Sequence, residues 1–293
     1  MKSESSNTPN KGRQQTASSS IPSNVTDPLE ETGEQSDRSL SGKPVKKPIT
    51  GIIIGCLALL LIQSFCFAPV LKQVGFYLDD WIMVSTLSFG PDNFIDLMKY
   101  YFQADSRVVN RPLEALHFAC MFVLFGSKPL GYHIFNFVME IISGWLLFLI
   151  LAKLTGKRSI AFLSSAVFLL FPTHNITHYW IVSSSVTLSM VFYLGSLLCD
   201  IYGAIRNKFW WHIVSSFLFL LMLFKYEVFM PLAAVNVITV FLLKLNTNSF
   251  KDSIKPTIFA GVCLAIPFIL LFVFLKFIMP AIGPAWTHSV KFD

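Results

Sequence analysis

The chain has 293 residues, of which 54% are hydrophobic and only 14% are charged, and its formal net charge is +6. Its mean hydropathy is +0.60. A water-soluble domain cannot cover its surface with so few polar residues. Uncharged runs of about 20 residues, the length that a helix needs to cross a bilayer, recur along the chain, whereas barrel strands would alternate over short segments. The composition therefore predicts an all-α, polytopic transmembrane helical bundle.

Residues 1–48 differ from the rest of the chain because they are rich in Ser, Thr, Pro and Gln and almost free of aromatic residues. Such a segment cannot bury enough apolar surface to offset its chain entropy, which predicts disorder. Lys43, Lys46 and Lys47 precede the first apolar run, which begins too late for a cleaved signal peptide. We therefore expect a disordered cytoplasmic tail over 1–48 and a transmembrane module over 49–293.

Seven apolar segments have the length and the flanking charges of membrane spans. They cover 49–70, 130–152, 159–174, 181–203, 210–225, 228–244 and 257–280. With the tail on the cytoplasmic side, every inner loop carries Lys or Arg, as the positive-inside rule requires. This bias accounts for the net charge, so the charge gives no reason to expect nucleic acid as a partner.

The connection between the first two predicted spans, residues 71–129, is too long to be a simple linker. It holds six of the 11 acidic residues that follow position 48, including the adjacent pair Asp79 and Asp80. Its apolar stretch 111–126 is short for a span, and counting it as one would put the basic loops outside. We expect a large extracytoplasmic loop whose helix lies at the interface or packs against the bundle.

Polar and ionisable residues from other segments fall on the same predicted outer side. They are His133, Asn136 and Glu140 on one face of the second span, His174 and His178 at the end of the third, and Lys225 and Glu227 between the fifth and sixth. Taken singly, each has a structural explanation, such as a snorkelling lysine or a helix cap. A carboxylate within a span costs roughly 2.5–3.5 kcal/mol, so Glu140 should face a partner or a wet cavity. Together they predict a functional site.

Five short motifs follow one another over roughly 75–235: "FYLDDW", "RPLEALHF", "PLGYHIFN", "FPTHNITHYW" and "KYEVFMPL". In these motifs the chain resembles polytopic glycosyltransferases of the GT-C class, and within that class protein O-mannosyltransferases that bear tetratricopeptide repeats and their bacterial relatives. The resemblance implies a GT-C-like bundle in the bacterial inner membrane or the endoplasmic reticulum membrane. It also implies transfer of a sugar from a polyprenyl-phosphate donor to a hydroxyl of a protein or glycan on the extracytoplasmic face.

The chain departs from the pattern of that family in three places. Ile176 stands where Glu is common, the serines at 183–185 replace a Gly-Arg-Asp-like stretch, and Tyr226 separates Lys225 from Glu227. These changes leave the substrate, and to a lesser degree the activity, open. Family members usually continue with further spans, so we expect either a minimal module or one that is incomplete at the C-terminus.

The chemistry of such a transfer gives each candidate residue a role. Asp79, slightly favoured by its place in the motif, or Asp80 would be the catalytic base that deprotonates the acceptor. The donor phosphate would be bound by Arg111, Lys225, His133 and His174. A supporting polar cavity would be formed by Asn136, Glu140, His178 and Glu227. Direct attack by the acceptor predicts inversion at the anomeric carbon, and a divalent cation on the acidic pair is left open.

Two interpretations without catalysis are also compatible with the sequence. A transporter of a lipid-linked or polar substrate would gather polar residues among its spans, although the sequence shows no inverted repeat and no pair of Gly/Pro-broken helices. A membrane scaffold would tolerate substitution of Asp79 and Asp80, whereas an enzyme would not.

Overall fold

The computed structural model describes residues 49–105, 108–171 and 178–282, which lie within one structural unit, 47–293. Throughout these ranges the regular secondary structure is helical, which confirms the prediction of an all-helical fold. The tail predicted over 1–48 lies outside the described residues.

Eleven α-helices occur within the described ranges. They are α1 (Thr50–Phe67), α2 (Asp79–Ser88), α3 (Phe94–Ala104), α4 (Pro112–Phe125), α5 (Pro129–Thr155), α6 (Arg158–Leu170), α7 (Ser184–Arg206), α8 (Trp210–Lys225), α9 (Ala233–Leu245), α10 (Phe250–Val273) and α11 (Met279–Ile282). Short 3₁₀ segments, Ile181–Ser183 and Glu227–Leu232, lead directly into α7 and α9, and a π-helical turn, Phe274–Ile278, joins α10 to α11.

Five helical segments in the described part of the chain are long and apolar enough to cross a membrane. They are Thr50–Phe67, Pro129–Thr155, Ile181–Arg206, Glu227–Leu245 and Phe250–Ile282. They coincide with five of the seven predicted spans, so the protein has the architecture of a polytopic helical membrane protein. The third and fifth predicted spans coincide with shorter apolar helices, α6 and α8. Residues 172–174 of the third span lie outside the described residues.

The α7 helix is the centre of the bundle. It packs against α5, α8 and α9. In the segment Ile181–Arg206, which contains α7, 56% of the apolar 18-residue stretch is buried, compared with 11% in α1. The α1 helix contacts α5 and α6 and leaves large apolar side chains such as Ile54, Leu61 and Phe65 exposed. This difference identifies α1 as a peripheral helix whose outer face is suited to lipid.

Local sequence signals explain where several helices begin and end. Pro112 and Pro129 occupy the first turns of α4 and α5, where the missing N–H is not needed. The Asn93 Oδ1 accepts hydrogen bonds from the backbone N–H groups of Ile95 and Asp96 and so caps α3. Gly156 has φ +67° and ends α5 in the left-handed conformation that glycine adopts without steric cost.

The α7 and α8 helices run antiparallel along most of their lengths. Ser185, at the start of α7, hydrogen-bonds to Lys225, at the end of α8, with an Nζ–Oγ distance of 3.0 Å. At the opposite ends, the His212 Nδ1 lies 2.7 Å from the Asp200 Oδ1. The α8 helix has 16 residues. At about 1.5 Å per residue it is roughly 24 Å long, which is shorter than the roughly 30 Å hydrocarbon core of a bilayer.

The helices α2, α3 and α4 form a cluster around an apolar core to which Tyr132, Ile181, Phe274 and Met279 from other segments also contribute. Buried side chains in this core include Met83, Leu87, Tyr101 and Phe118. The α4 helix also packs against α5 and α8. Of the two arrangements expected for the apolar stretch 111–126, the structure therefore has the helix packed against the bundle.

Candidate functional site

A cavity lies between the α2–α4 cluster and the beginning of α7. It encloses about 710 Å³ of empty space, including the part that is open to the surroundings. Its polar lining comes from Asp79, Asp105, Arg111, Glu114, Ser183 and Ser185. Aromatic rings of Tyr101, Trp180 and Tyr226 complete the walls. Carboxylates, a guanidinium and aromatic rings thus line one cavity.

The two adjacent carboxylates of the acidic pair have different surroundings. Asp79 is partly exposed and lines the cavity, whereas Asp80 is fully buried. Leu78, immediately before them, has φ +40°, a conformation that bulky L-residues rarely adopt and that costs of order 1–3 kcal/mol. This turn lets the chain enter α2 with Asp80 directed inwards.

Asp80 acts as an acceptor that joins two segments of backbone. Its Oδ2 accepts hydrogen bonds from Tyr77 N at 2.9 Å and Ile181 N at 3.3 Å, and its Oδ1 accepts one from Val182 N at 2.9 Å. Burial raises the pKa of this carboxyl above its ordinary value, against the lowering effect of the backbone N–H groups and of His133. The contacts of Asp80 are those of a structural anchor that fixes α2 to the start of α7.

Arg111 precedes α4 and is held in a fixed orientation. Its Nε and Nη2 atoms donate to the two carboxylate oxygens of Glu227 at 2.9 and 2.7 Å, and its guanidinium carbon lies 4.2 Å from the ring centroid of Tyr226. Burial acts to lower the pKa of Arg111, but the hydrogen bonds and charge of Glu227 outweigh it and raise the pKa. Two of the five N–H groups of the Arg111 guanidinium thus donate to Glu227. The Arg111 side chain also lines the cavity.

Lys225 lies behind the wall of the cavity and is fully buried. Its ammonium donates to the Glu114 Oε2 at 2.7 Å and to the Ser185 Oγ at 3.0 Å. The Ser185 hydroxyl donates to the Glu114 Oε1 at 2.7 Å, which closes a three-membered network. Phe118 covers the ammonium, at 4.8 Å from its ring centroid. Lys225 therefore fixes the cavity-lining groups Glu114 and Ser185 rather than lining the cavity itself.

His133 and Asn136 are buried in the first half of α5. The Nε2 atom of His133 lies 3.1 Å from the carbonyl oxygen of Gly75, in the connection that precedes α2. This contact ties α5 to the segment that carries the acidic pair. Neither His133 nor Asn136 lines the cavity that holds Asp79.

Glu140 and His178 belong to a second, separate polar cluster. The Glu140 Oε2 accepts a hydrogen bond from the Gln63 Nε2 at 3.1 Å and pairs with the His178 Nδ1. The His178 ring stacks on Phe67 with centroids 3.8 Å apart. The cluster borders a cavity of about 410 Å³ whose other walls are largely apolar, with Phe168, Leu169 and Met190 among them. It joins α1, α5 and the segment before α7.

The predicted site residues thus do not form a single group, since Asp80, His133 and Asn136 line neither cavity. The structure brings Asp79, Arg111 and Glu227 together, with Lys225 directly behind them. Glu140 and His178 line a different cavity, so the polar residues predicted to lie on the outer side do not all meet in one place. His174 lies outside the described residues. Within the described ranges, no group of three or more His, Cys, Asp and Glu side chains is arranged to hold a metal ion.

A groove that is largely apolar, apart from Lys99 and Gln103, lies on α3 and α4. It holds about 700 Å³ of empty space and is lined by Met98, Phe102, Pro112, Ala115 and Ile282, among others. Residues that are adjacent in sequence line the two spaces. Tyr101 and Arg111 line the cavity, and the next residues, Phe102 and Pro112, line the groove. The α3 and α4 helices thus carry residues of a polar cavity and of a largely apolar groove.

Sequence reasoning missed several residues of these sites. Glu114 and Ser185 line the cavity, and Gln63 binds Glu140 from α1. A second set of buried polar side chains was also missed: Asp200 accepts hydrogen bonds from Ser215 and Asn236 at 2.7 and 2.8 Å and pairs with His212. A carboxylate within a predicted span is a signal that could have identified Asp200 from the sequence.

Comparison with known proteins gives one partial similarity. Over 88 residues, which are 30% of this chain and 10% of the relative, the chain is 32% identical to the protein O-mannosyl-transferase Tmtc1 of Drosophila melanogaster. The matched stretch thus spans about a tenth of the length of that relative. No family model matches the chain, and no solved structure matches it. The partial similarity and the multi-helix membrane architecture are both compatible with a membrane glycosyltransferase.

Proposed function

We propose that this protein is a membrane glycosyltransferase that transfers a sugar from a polyprenyl-phosphate-linked donor to an acceptor hydroxyl. The observation that carries the proposal is the cavity in which a carboxylate, Asp79, and a guanidinium, Arg111, line the same space. Transfer from a lipid phosphate needs these two groups, one to take the proton of the acceptor and one to stabilise the departing phosphate. The similarity to an O-mannosyl-transferase supports the same class of reaction.

In this proposal Asp79 is the general base. It is partly exposed at the cavity, so an acceptor hydroxyl can reach it. Asp80 is the positioning residue, because all three of its described backbone contacts hold α2 in place. With one carboxylate acting on the acceptor, the acceptor oxygen bonds to the anomeric carbon as the bond to phosphate breaks, and the configuration inverts.

Arg111 is the proposed phosphate ligand. Two of its N–H groups bind Glu227, which leaves the rest of a fixed fork for the phosphate oxygens. Lys225 acts through Glu114 and Ser185, whose positions it fixes. The largely apolar groove is the proposed path of the polyprenyl tail, since it lies on the same pair of helices as the cavity.

We further propose that α6 and α8 cross the membrane with the five longer helices, which gives seven spans. Antiparallel packing of α8 along α7 supports this arrangement. The basic loops then lie on the cytoplasmic side, and the cavity with Asp79 lies on the extracytoplasmic side.

A non-catalytic scaffold is the second candidate function, and one observation favours it. Both cations near the cavity are already paired with carboxylates of the same chain, Arg111 with Glu227 and Lys225 with Glu114. In the scaffold function these two pairs serve to hold α4, α8 and the segment that leads into α9 together.

A transfer assay separates these two functions. The purified full chain, reconstituted in lipid nanodiscs, is incubated with radiolabelled polyprenyl-phosphate mannose and, in parallel, polyprenyl-phosphate glucose, together with a mixture of peptide and glycan acceptors. The enzyme proposal predicts transfer that is lost in Asp79→Asn. The scaffold function predicts no transfer from either donor, together with unchanged folding of Asp79→Asn. Asp96→Asn is the matched control, because it removes an exposed carboxylate of α3 whose ion-pair partner is the exposed Lys99.

A further inference from the structure

A basic cavity lies at the other end of α7 and α8. It encloses about 650 Å³, including space open to the surroundings, and is bordered by the end of α7, the start of α8, the end of α9 and the start of α10. Gly203 lines it, and Ser185 of the same helix lines the cavity with Asp79. At about 1.5 Å per residue these two positions are roughly 27 Å apart along α7. The basic cavity is therefore remote from the proposed catalytic site.

The charged groups of this cavity all have the same sign. Lys208, Lys244 and Lys255 line it together with His212, and no carboxylate is among the described lining residues. The lysines come from two loop regions, around 208 and 244–255, that are far apart in sequence. The fold has therefore gathered three cations around one space, where their mutual repulsion is unfavourable unless an anion is present.

Lys244 is the most informative of the three lysines because it is only 4% exposed. Its ammonium donates to the carbonyl oxygen of Ala204 at 2.6 Å and to the Oδ1 of Asn207. These contacts cap the end of α7, where a cation is favoured by the helix dipole. Both acceptors are neutral, however, and no carboxylate of the described residues pairs with Lys244. An ammonium has three N–H groups, so one remains for a further acceptor at the cavity.

His212 is held beside the lysines by a buried network. Asp200 binds its Nδ1 at 2.7 Å and also accepts a hydrogen bond from the Ser215 hydroxyl. The other ring nitrogen, Nε2, packs so closely on Gly203 that a Cβ added there would lie 2.7 Å from it. A glycine at this position keeps the edge of the imidazole beside the cavity, while the contact with the Asp200 carboxylate fixes the orientation of the ring.

The rim of the cavity is apolar and aromatic. Phe209 and Phe259 line it and are 51% and 41% exposed, and Trp210 beside them is 64% exposed. Aromatic residues with this exposure are typical of the membrane–water interface. The site thus presents cations to a headgroup and apolar rings to the acyl chains of a lipid.

We infer that this cavity binds a phosphate group, and that an anionic membrane lipid supplies it. Lys244 and Lys255 would contact the phosphate oxygens, with His212 behind them, and Phe209 and Phe259 would pack on the lipid chains. Basic pockets between transmembrane helices bind anionic lipid headgroups by the same chemistry. The inference uses no residue of the cavity that holds Asp79.

The test measures lipid binding to the purified full chain by native mass spectrometry during titration with phosphatidic acid or phosphatidylcholine. We expect tighter binding of phosphatidic acid to the wild type and a loss of about fivefold in Lys255→Gln, which is exposed and should fold normally. Lys244→Gln should lose at least as much. Gly203→Ala should weaken binding without changing charge, because it displaces His212. Lys251→Gln is the matched control, since it removes an exposed charge from the same region outside the cavity.

Competition with inorganic phosphate shows whether the cavity binds the phosphate group alone or also requires the lipid chains. Displacement of bound phosphatidic acid by phosphate at millimolar concentration would mean that the site takes the phosphate group itself, whereas no displacement would mean that the lipid chains are required. An equal loss of binding in Lys251→Gln and Lys255→Gln would overturn the inference, because general attraction of the lipid to a basic surface would then explain the binding. Equal affinity for the two lipids, with no phosphate binding, would also overturn it.

Discussion

Arg111 and Glu227 stand 116 positions apart in the chain and form a two-pronged ion pair, with nitrogen–oxygen distances of 2.9 and 2.7 Å. The pair joins the beginning of α4 to the segment that leads into α9. It also orients a guanidinium at the wall of the cavity that contains Asp79. The contact thus has a structural consequence and, in the proposed function, also positions the group that binds the donor phosphate, and substitution can separate these two roles.

Arg111→Lys keeps the positive charge and removes the planar fork. We expect the KM for the lipid-linked donor to rise about tenfold or more, because a charge-assisted hydrogen bond contributes about 1.5–3 kcal/mol. Glu227→Gln should shift the KM in the same direction by a smaller factor. Its effect on stability should be no more than about 1 kcal/mol, since the pair is partly exposed. Initial transfer rates over a range of donor concentrations measure these effects.

Lys99→Gln is the control for that experiment, because it removes an exposed lysine whose ammonium lies 3.7 Å from Asp96. It should leave the donor KM unchanged. An unchanged donor KM in Arg111→Lys as well would mean that Arg111 only ties the two segments together.

The network of Lys225, Glu114 and Ser185 predicts strong coupling between its two charged members. Lys225→Met leaves the buried Glu114 carboxylate without its cation and should cost about 3–5 kcal/mol in the free energy of unfolding. Adding Glu114→Gln removes the unpaired charge, so the double variant should recover a large part of that loss. Thermal and denaturant unfolding in detergent, arranged as a double-mutant cycle, measures the coupling. Strictly additive effects of the two substitutions would contradict the network.

The seven-span topology predicts opposite sides for two positions. In a background without the five native cysteines, Tyr100→Cys should react with a membrane-impermeant maleimide from outside the cell. Ile205→Cys, at the end of α7 and half exposed, should react only from the cytoplasmic side. Reaction of both positions from the same side would mean that the basic loops do not mark the inner face.

The membrane architecture could be predicted from sequence because long apolar segments and their flanking charges are local properties. All seven predicted spans coincide, wholly or in part, with described helices. The pairing of polar residues could not be predicted in the same way. Asp79 and Asp80 are adjacent in sequence, yet the unusual backbone at Leu78 separates their environments, and no propensity signals a positive φ at leucine.

The prediction that the polar residues share the outer side was likewise insufficient to identify their partners. Glu140 and Lys225 were both expected to contribute to one site, but Gln63 and His178 bind the first, whereas Glu114 and Ser185 bind the second. These contacts depend on which helix faces pack together, a property of the whole bundle that no single motif encodes. Glu114 belongs to the motif "RPLEALHF", but the motif assigned it no role beyond that of one acidic residue among several in the 71–129 connection.

The central claim is that Asp79 acts on the acceptor while Asp80 holds the backbone, and the two asparagine variants distinguish these roles. Asp80→Asn replaces an acceptor of three backbone N–H groups by an amide that has only one acceptor oxygen, so it should lower stability by about 1–3 kcal/mol.

Turnover of Asp79→Asn at saturating donor, measured beside its unfolding midpoint, is the most direct test of that claim. We expect turnover to fall at least about a hundredfold, the usual contribution of a general base, while the unfolding midpoint stays at the wild-type value. Near-normal turnover of the folded Asp79→Asn protein would contradict the claim.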